Sequence, residues 1–187
     1  MMTSLKATVV IGRFQPFHKG HLSLIRTAQE YAPHTCVLLG SHNHTRTLKN
    51  VWTTEERLSM MLPCFSEEEL KRLTFIPIND DPSDAAWVAE IKSAVTQCIK
   101  KKGPIGLIGY EKDESSYYLK LFKPWILIKA QKFCHGLSAT DLRQAYFDGL
   151  PPSPTYFPDP VIQFLCDFRK TKDYTYVKDT LYGKGHG

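Results

Sequence analysis

ATVVIGRFQPFHKGH, Ala7 to His21, is the stretch on which the fold turns. Its opening, Ala7 to Ile11, is a continuous apolar run too short for a core helix, so it reads as a strand buried on both faces. Gly12 ends that run, and beyond the loop Leu22, Ile25, Ala28 and Ala32 recur at helical spacing. A strand that hands over to a helix is half of a parallel crossover unit, and the alternation continues. Cys36 to Leu39, Phe75 to Ile78, Ile105 to Ile108 and Trp125 to Ile128 are further short apolar runs. Amphipathic stretches separate them. One is marked by Val88, Ile91, Val95, Cys98 and Ile99; another runs from a cap at Thr53 or Thr54 to Leu62, with Glu55 and Glu56 in its favourable first turn. The pattern predicts an α/β fold, a doubly wound parallel sheet of about five strands with right-handed crossovers.

The chain has 187 residues, room for one domain and a short appendage. Residues 1–150 are expected to form the α/β domain. After Gly149, Pro151, Pro152, Pro154, Pro158 and Pro160 forbid regular helix, and Val161, Phe164, Leu165 and Phe168 then mark one more amphipathic helix. Residues 151–187 are thus expected as a Pro-rich loop and C-terminal helical extension packed on the domain, with a frayed tail from Gly183 to Gly187. No internal repeat is visible.

Hydrophobic residues make up 42% and charged residues 23%, which excludes disordered, collagenous and coiled-coil classes. Lys and Arg outnumber Asp and Glu by 24 to 19, a surplus of +5 that suits an anionic ligand without implying nucleic acid. Its densest cluster, Lys100, Lys101 and Lys102, reads as a solvated helix end. No apolar run approaches the ~18 residues of a membrane span, and the segment from Met1 to Gly12 lacks a signal-peptide pattern, so no membrane partner is expected. Cys36, Cys64, Cys98, Cys134 and Cys166 are widely spaced with no CxxC pair, which suggests neither zinc nor a disulfide framework. Reduced thiols and a cytoplasmic setting are expected.

Chemistry is concentrated in two places. The string from Gly12 to His21 lies where the first strand stops and the first helix starts, the position at which an open parallel sheet binds ligands and a helix N-terminus offers free N–H groups to phosphate. His18 and His21, three apart, face the same way. Gly12 and Gly20 permit close backbone approach, and Arg13 and Lys19 add positive charge. Two plainer readings compete: the histidines could hold a metal, although no Glu or Cys completes the set, or they could cap the helix. The second place is LSATDLR, Leu137 to Arg143, where Ser138 is a natural N-cap, Asp141 stands at the acid-favoured third position as a capping-box variant, and Arg143 projects one turn up. Read alone, this is a capped helix with a solvated arginine.

Together, GRFQPFHKGH and LSATDLR resemble the GxFxPxHxGH and ISxTxxR signatures of the nucleotidyltransferase superfamily, whose sheet is Rossmann-like and whose two signatures line an ATP site. Ser41 to Thr53, followed by Glu56 and Arg57, is similar to the SxxxxxTxxNPFTxxER region of NadM-type nicotinamide-mononucleotide adenylyltransferases. So is Phe75 to Val88 through Pro77, Asp80, Ala86, Trp87 and Val88. Glu111 to Phe122 resembles the KDxSSYYLxxF string of bacterial members that carry a Nudix domain downstream. No Nudix signature is present in this chain. Val51 and Trp52 replace the usual Pro and Phe, Lys49 stands where archaeal members often have Arg, and Leu137 replaces Ile; these bear on the shape of the nicotinamide pocket rather than on phosphate chemistry.

The resemblance implies transfer of the AMP moiety of ATP to nicotinamide mononucleotide (NMN), giving NAD and pyrophosphate by in-line attack without a covalent intermediate. It implies His18, His21 and Arg143 as catalytic residues on the ATP phosphates. Gly12, Arg13, Phe14, Gly20, Lys49, Ser138 and Thr140 would line the phosphate and ATP site, and Trp87, Asp80 and Ser41 the NMN site. Mg²⁺ would ride on the ATP phosphates with no protein cage. Trp87 would stack on the nicotinamide ring, although by spacing alone it flanks the apolar stripe of Ile91 and Ala94 as a core tryptophan would. Roles for Lys112 and Asp113, the choice between NMN and nicotinic acid mononucleotide, and homo-oligomerisation stay open. Two rivals also stay open: the same fold with another acceptor, such as pantetheine phosphate or flavin mononucleotide, and a pyridine-nucleotide sensor with slow turnover.

Overall fold

The computed structural model describes residues 4–99, 102–110, 114–130 and 137–183. Five strands, β1 (Ala7–Gly12), β2 (Thr35–Leu39), β3 (Leu73–Pro77), β4 (Ile105–Gly109) and β5 (Ile126–Lys129), form one parallel sheet in the order β3-β2-β1-β4-β5. The helices are α1 (Lys19–Tyr31), α2 (Thr54–Met61), α3 (Glu67–Leu70), α4 (Asp84–Cys98), α5 (Ala139–Phe147), α6 (Asp159–Phe168) and α7 (Lys172–Val177). A 3₁₀ stretch, Glu114–Phe122, precedes β5, and a π-type turn, Lys178–Tyr182, follows α7. Lys100, Lys101, Lys112, Asp113, Cys134 and residues 184–187 lie outside the described residues.

Strand alternation divides the core into two layers. Val10 of β1, Val37 and Leu39 of β2 and Ile108 of β4 face one layer, filled by Leu24, Ile25 and Ala28 of α1, Met60 and Met61 of α2, Phe147 of α5, and Val161, Leu165 and Phe168 of α6. Val9, Cys36, Leu38 and Leu107 face the other, closed by Ile91 and Val95 of α4 together with Leu119 and Phe122. Burial pushes the Cys36 thiol up to about 12, as an apolar setting does to a group that ionises to an anion. The C-terminal helices enter the first layer directly: Trp52 packs on Phe147 and Phe168 at ring separations of 6.1 and 5.8 Å.

Local signals explain the helix starts. Thr53 and Glu56 form a complete capping box on α2, the Thr53 hydroxyl accepting from Glu56 N at 3.2 Å and the Glu56 carboxylate from Thr53 N at 2.8 Å. Such a cap contributes about 1 kcal/mol. At α5 only half of the expected box is present: Ser138 accepts from Asp141 N at 3.4 Å, without the return bond. The Asp side chain is one methylene shorter than the Glu that makes this reach. No helix among the described residues is long and apolar enough to cross a membrane.

Candidate active site

In the strand order β3-β2-β1-β4-β5, the chain runs outward from β1 to β2 and β3, then returns to place β4 on the opposite flank of β1. That reversal opens a crevice beyond the carboxyl ends of β1 and β4, because the connections on either side lead away from it. A cleft of about 500 Å³ occupies this point, a size usual for a small-molecule site. Its walls come from nearly every loop at that end of the sheet. Gly12 ends β1 and Arg13 to Gln15 follow it, Gly40 and Ser41 follow β2, and Gly109 ends β4 with Tyr110 after it. Asp80 precedes α4, which supplies Trp87, while Ser138, Thr140 and Arg143 come from the start of α5.

The loop after β1 is shaped by a glycine and a strained aromatic. Phe14 has a φ of 53°, a left-handed conformation that bulky residues rarely adopt. A Cβ at Gly12 would lie 2.8 Å from the Phe14 ring, so only glycine leaves room for it. Phe14 then meets His21 edge-on at 5.0 Å, with Phe17 stacked on the same imidazole at 5.8 Å. Ser41, also on the cleft wall, has a φ of 54°. Strain of this kind persists only where surrounding structure enforces it; of the three such non-glycine residues among those described, Phe14 and Ser41 border the cleft and Arg46 does not.

His18 is the N-cap of α1, its Nδ1 accepting from His21 N at 3.3 Å. The plainer capping reading therefore holds for His18, while the two imidazoles stack at 3.6 Å. His21 lines the cleft; His18 is buried directly behind it and is not part of the wall. Gly20 lies beneath the His18 ring, where a Cβ would be 3.0 Å away, and also stays off the wall.

Arg143 reaches the cleft from α5, although it is 95% buried rather than the solvated residue its own segment suggests. Its Nη1 donates to Gln15 O at 2.6 Å and its Nε to Leu48 O at 2.8 Å. The first motif and the second are thus joined by a direct hydrogen bond. Arg13, also on the cleft wall, is pushed down by partial burial and then by the like charge of Arg143, against opposing pulls from Asp80 and Tyr118. Among the described residues no carboxylate lies within ion-pair distance of either guanidinium.

On the far side, Asp80 and Asn43 pair reciprocally, Asp80 N donating to Asn43 Oδ1 at 2.8 Å and Asn43 Nδ2 to Asp80 O at 3.2 Å. Trp87 is half-buried against Tyr118 and Phe122 at 5.9 and 5.7 Å, so it packs as a core-flanking residue and borders the cleft at once. Burial pushes the Tyr118 phenol up, which keeps it a neutral hydroxyl on the cleft wall.

Two expected cations are not brought to the cleft. Lys49 is exposed on the 41–53 loop and lines no part of it. Lys19 turns away: its backbone N donates to Tyr156 O at 2.8 Å and its Nζ to Pro154 O, which ties it to the Pro-rich segment instead. Val51 and Trp52 are also off the wall, fully buried in the first core layer. Gln15, Tyr110 and Tyr118 line the cleft without having been singled out from the sequence. Gln15 bonds both backbone groups of Trp52, accepting at 2.9 Å and donating at 2.8 Å. The first string contained Gln15 and the KDxSSYYLxxF-like string contained Tyr118, but no spacing rule marks either. Among the described residues no group of three or more His, Cys, Asp or Glu is gathered for a metal.

Comparison with known proteins agrees with this geometry. Residues 9–145 match the cytidylyltransferase-like family model. The chain is 41% identical, over 89% of its length and 88% of the relative's, to a nicotinamide/nicotinic acid mononucleotide adenylyltransferase of Acinetobacter baylyi. A nicotinamide-nucleotide adenylyltransferase of Pyrococcus furiosus is 29% identical over 88% of this chain and 85% of its own. Among solved structures, a bifunctional NMN adenylyltransferase/ADP ribose pyrophosphatase of Francisella tularensis, complexed with AMP and a manganese ion, superposes with a TM-score of 0.83 at 29% identity. That match covers 93% of this chain but 52% of the Francisella chain, so this chain spans about half its length.

Proposed function

The chain belongs to the cytidylyltransferase-like family, in company with nicotinamide-nucleotide adenylyltransferases, and from that premise we propose that it joins NMN to the AMP moiety of ATP, giving NAD and pyrophosphate. One observation carries the reading: Arg13 and Arg143, without carboxylate partners among the described residues, face a common cleft with His21 at the N-terminus of α1. Two guanidiniums that disfavour each other are relieved by an anion, and a helix N-terminus adds its free N–H groups to the same demand.

The reaction needs no protein nucleophile. An oxygen of the NMN 5'-phosphate attacks the α-phosphorus of ATP, the new P–O bond forms, and the bond to the β-phosphate bridging oxygen breaks with its electron pair leaving on pyrophosphate. The task of the protein is to hold two polyanions in line and neutralise charge as it shifts toward the leaving group. In this reading His21 donates to the α-phosphate, and His18 behind it fixes the ring by stacking and by capping the helix. Arg143 takes the departing phosphates; Gly12, Arg13 and Phe14 hold phosphate from the other side, and Ser138 and Thr140 supply the helix start beneath Arg143. Gly20 leaves room for the His18 ring.

Trp87, Asp80 and Ser41 form the NMN side. An indole face beside a pyridinium contributes about 1 to 2 kcal/mol when desolvated. Among the described residues the cleft walls offer one carboxylate, that of Asp80, 3.8 Å from His44 Nε2, which is no cage for a divalent ion. Mg²⁺ would therefore enter as part of the MgATP substrate. A cytoplasmic setting fits the unpaired Cys36, Cys64, Cys98 and Cys166.

The test is incubation with ATP, Mg²⁺ and a panel comprising NMN, nicotinic acid mononucleotide, pantetheine phosphate and flavin mononucleotide, with pyrophosphate release measured. Release is expected with the pyridine mononucleotides. Binding without turnover would favour a sensor, and release only with another acceptor would reassign the substrate.

A further inference from the structure

The C-terminal turn carries a residue that the signatures do not contain. Tyr182, in the π-type turn Lys178–Tyr182, is 39 residues from Arg143, yet Arg143 Nε donates to its hydroxyl at 3.0 Å. The same hydroxyl donates to Leu48 O at 3.1 Å, and Leu48 O accepts from Arg143 Nε at 2.8 Å, so the three groups close a triangle. The Tyr182 ring stacks on Phe147 at 4.4 Å with an interplanar angle of 19°, which holds the hydroxyl in place. Burial pushes this phenol up, and it stays a neutral donor at physiological pH.

The remaining nitrogens of Arg143 make the consequence plain. Nη1 is committed to Gln15 O at 2.6 Å and Ala139 O at 3.4 Å, whereas Nη2 makes no hydrogen bond among the described residues. A guanidinium is planar and its donors are fixed relative to one another. Anchoring the Nε edge therefore sets the direction in which Nη2 points. Leu48 sits in an exposed turn closed by Thr47 N donating to Asn50 O at 3.1 Å, and the Tyr182 hydroxyl gives the Nε edge a second acceptor beside Leu48 O. Tyr182 pins the loop and the arginine together.

We infer that Tyr182 is a positioning residue for the reaction, its hydroxyl orienting Arg143 toward the ATP phosphates from outside both signature motifs. This rests on the phosphate role proposed above for Arg143. A purely structural role would need only the ring on Phe147, which phenylalanine supplies equally well.

Tyr182→Phe removes the hydroxyl and keeps the stack. Wild type, Y182F, R143A and the double variant are compared by steady-state kinetics with ATP and NMN varied separately, by ATP calorimetry and by thermal melting. Y182F is expected to lower kcat/KM for ATP about tenfold, the value of one hydrogen bond to a charged group, with KM for NMN unchanged and the melting temperature within about 2 °C. On the R143A background it is expected to add nothing. Wild-type kinetics in Y182F, a loss shared equally by both substrates, or full additivity with R143A would each overturn the inference. Full activity in R143A would overturn the phosphate role itself, an outcome distinct from an impaired R143A beside an unimpaired Y182F.

Discussion

Two buried arginines hold the loop that follows β1, one from each side, and they do opposite things. Arg57 of α2, fully buried, donates to Arg13 O at 2.7 Å, Gly40 O at 2.8 Å and Thr54 Oγ1 at 2.9 Å. Burial pushes it down to about 10, against weaker pulls from Glu55 and Asp80. Arg143 of α5, nearly as buried, donates to Gln15 O in the same loop and also lines the cleft. The first ties two strand ends together through their carbonyls. The second is held through Nε and Nη1, and its Nη2 makes no hydrogen bond among the described residues. Burial of an arginine therefore says nothing about its task; the count of nitrogens left over does.

The contrast is sharpest when each is removed. Arg57→Met leaves two buried carbonyls without a charged donor and should lower unfolding free energy by about 3 to 5 kcal/mol, read by urea titration. Arg143→Ala should instead lower kcat/KM for ATP by about 10² to 10³ with the smaller loss of stability. If Arg57→Met proves as stable as wild type while turnover collapses, the two roles are assigned the wrong way round. His21→Ala, which removes the cleft-facing imidazole and leaves His18 as cap, should reduce kcat about a hundredfold; retained turnover would remove His21 from the chemistry.

A third arginine extends the comparison at lower stakes. Arg72 donates to Gln29 O, Ala32 O and Pro33 O around the end of α1, the last two at 3.0 and 3.2 Å, and is wholly structural. His34 beside it is pushed down, first by burial and then by the Arg72 charge, and bonds Thr74 Oγ1 at 2.9 Å. Below about pH 6.5, the unfolded chain binds more protons here than the folded one. Stability is therefore full above that pH and is lost as pH falls toward the depressed folded value. His34→Gln should flatten that part of a stability-versus-pH curve; an unchanged slope would show that His34 does not contribute.

Much of this was legible in short stretches. The five apolar runs lie within two residues of the five strands, but burial on both faces holds for β1, β2 and β4 and not for β3 or the edge strand β5, whose Ile126 is exposed. Thr53 caps α2, and Ser138 caps α5, because a hydroxyl at that point meets an otherwise orphan N–H. His21, Arg13, Ser138, Thr140, Arg143, Trp87, Asp80 and Ser41 all reach the cleft, since each lies in a segment after a strand's carboxyl end or in the first turns of the helix that follows it. Lys49 and Lys19 do not, and a residue count along a loop carries no information about which way a lysine turns. Trp52, which by resemblance bears on the shape of the nicotinamide pocket, is a core residue beside Phe147 and Phe168.

What the sequence determined by itself is the alternation of strand and helix, the helix starts, and the chemistry available at the ends of β1 and β5, because periodicity and capping depend on neighbours a few residues apart. What only the tertiary structure decided is which charges remain unanswered. The left-handed turn at Phe14 under Gly12, the bond from Arg143 to Gln15 across 128 residues, and the grip of Tyr182 on Arg143 all join segments remote in the chain. A hydrogen bond acts over about 3 Å of space, and distance along the chain cannot predict which groups will come that close.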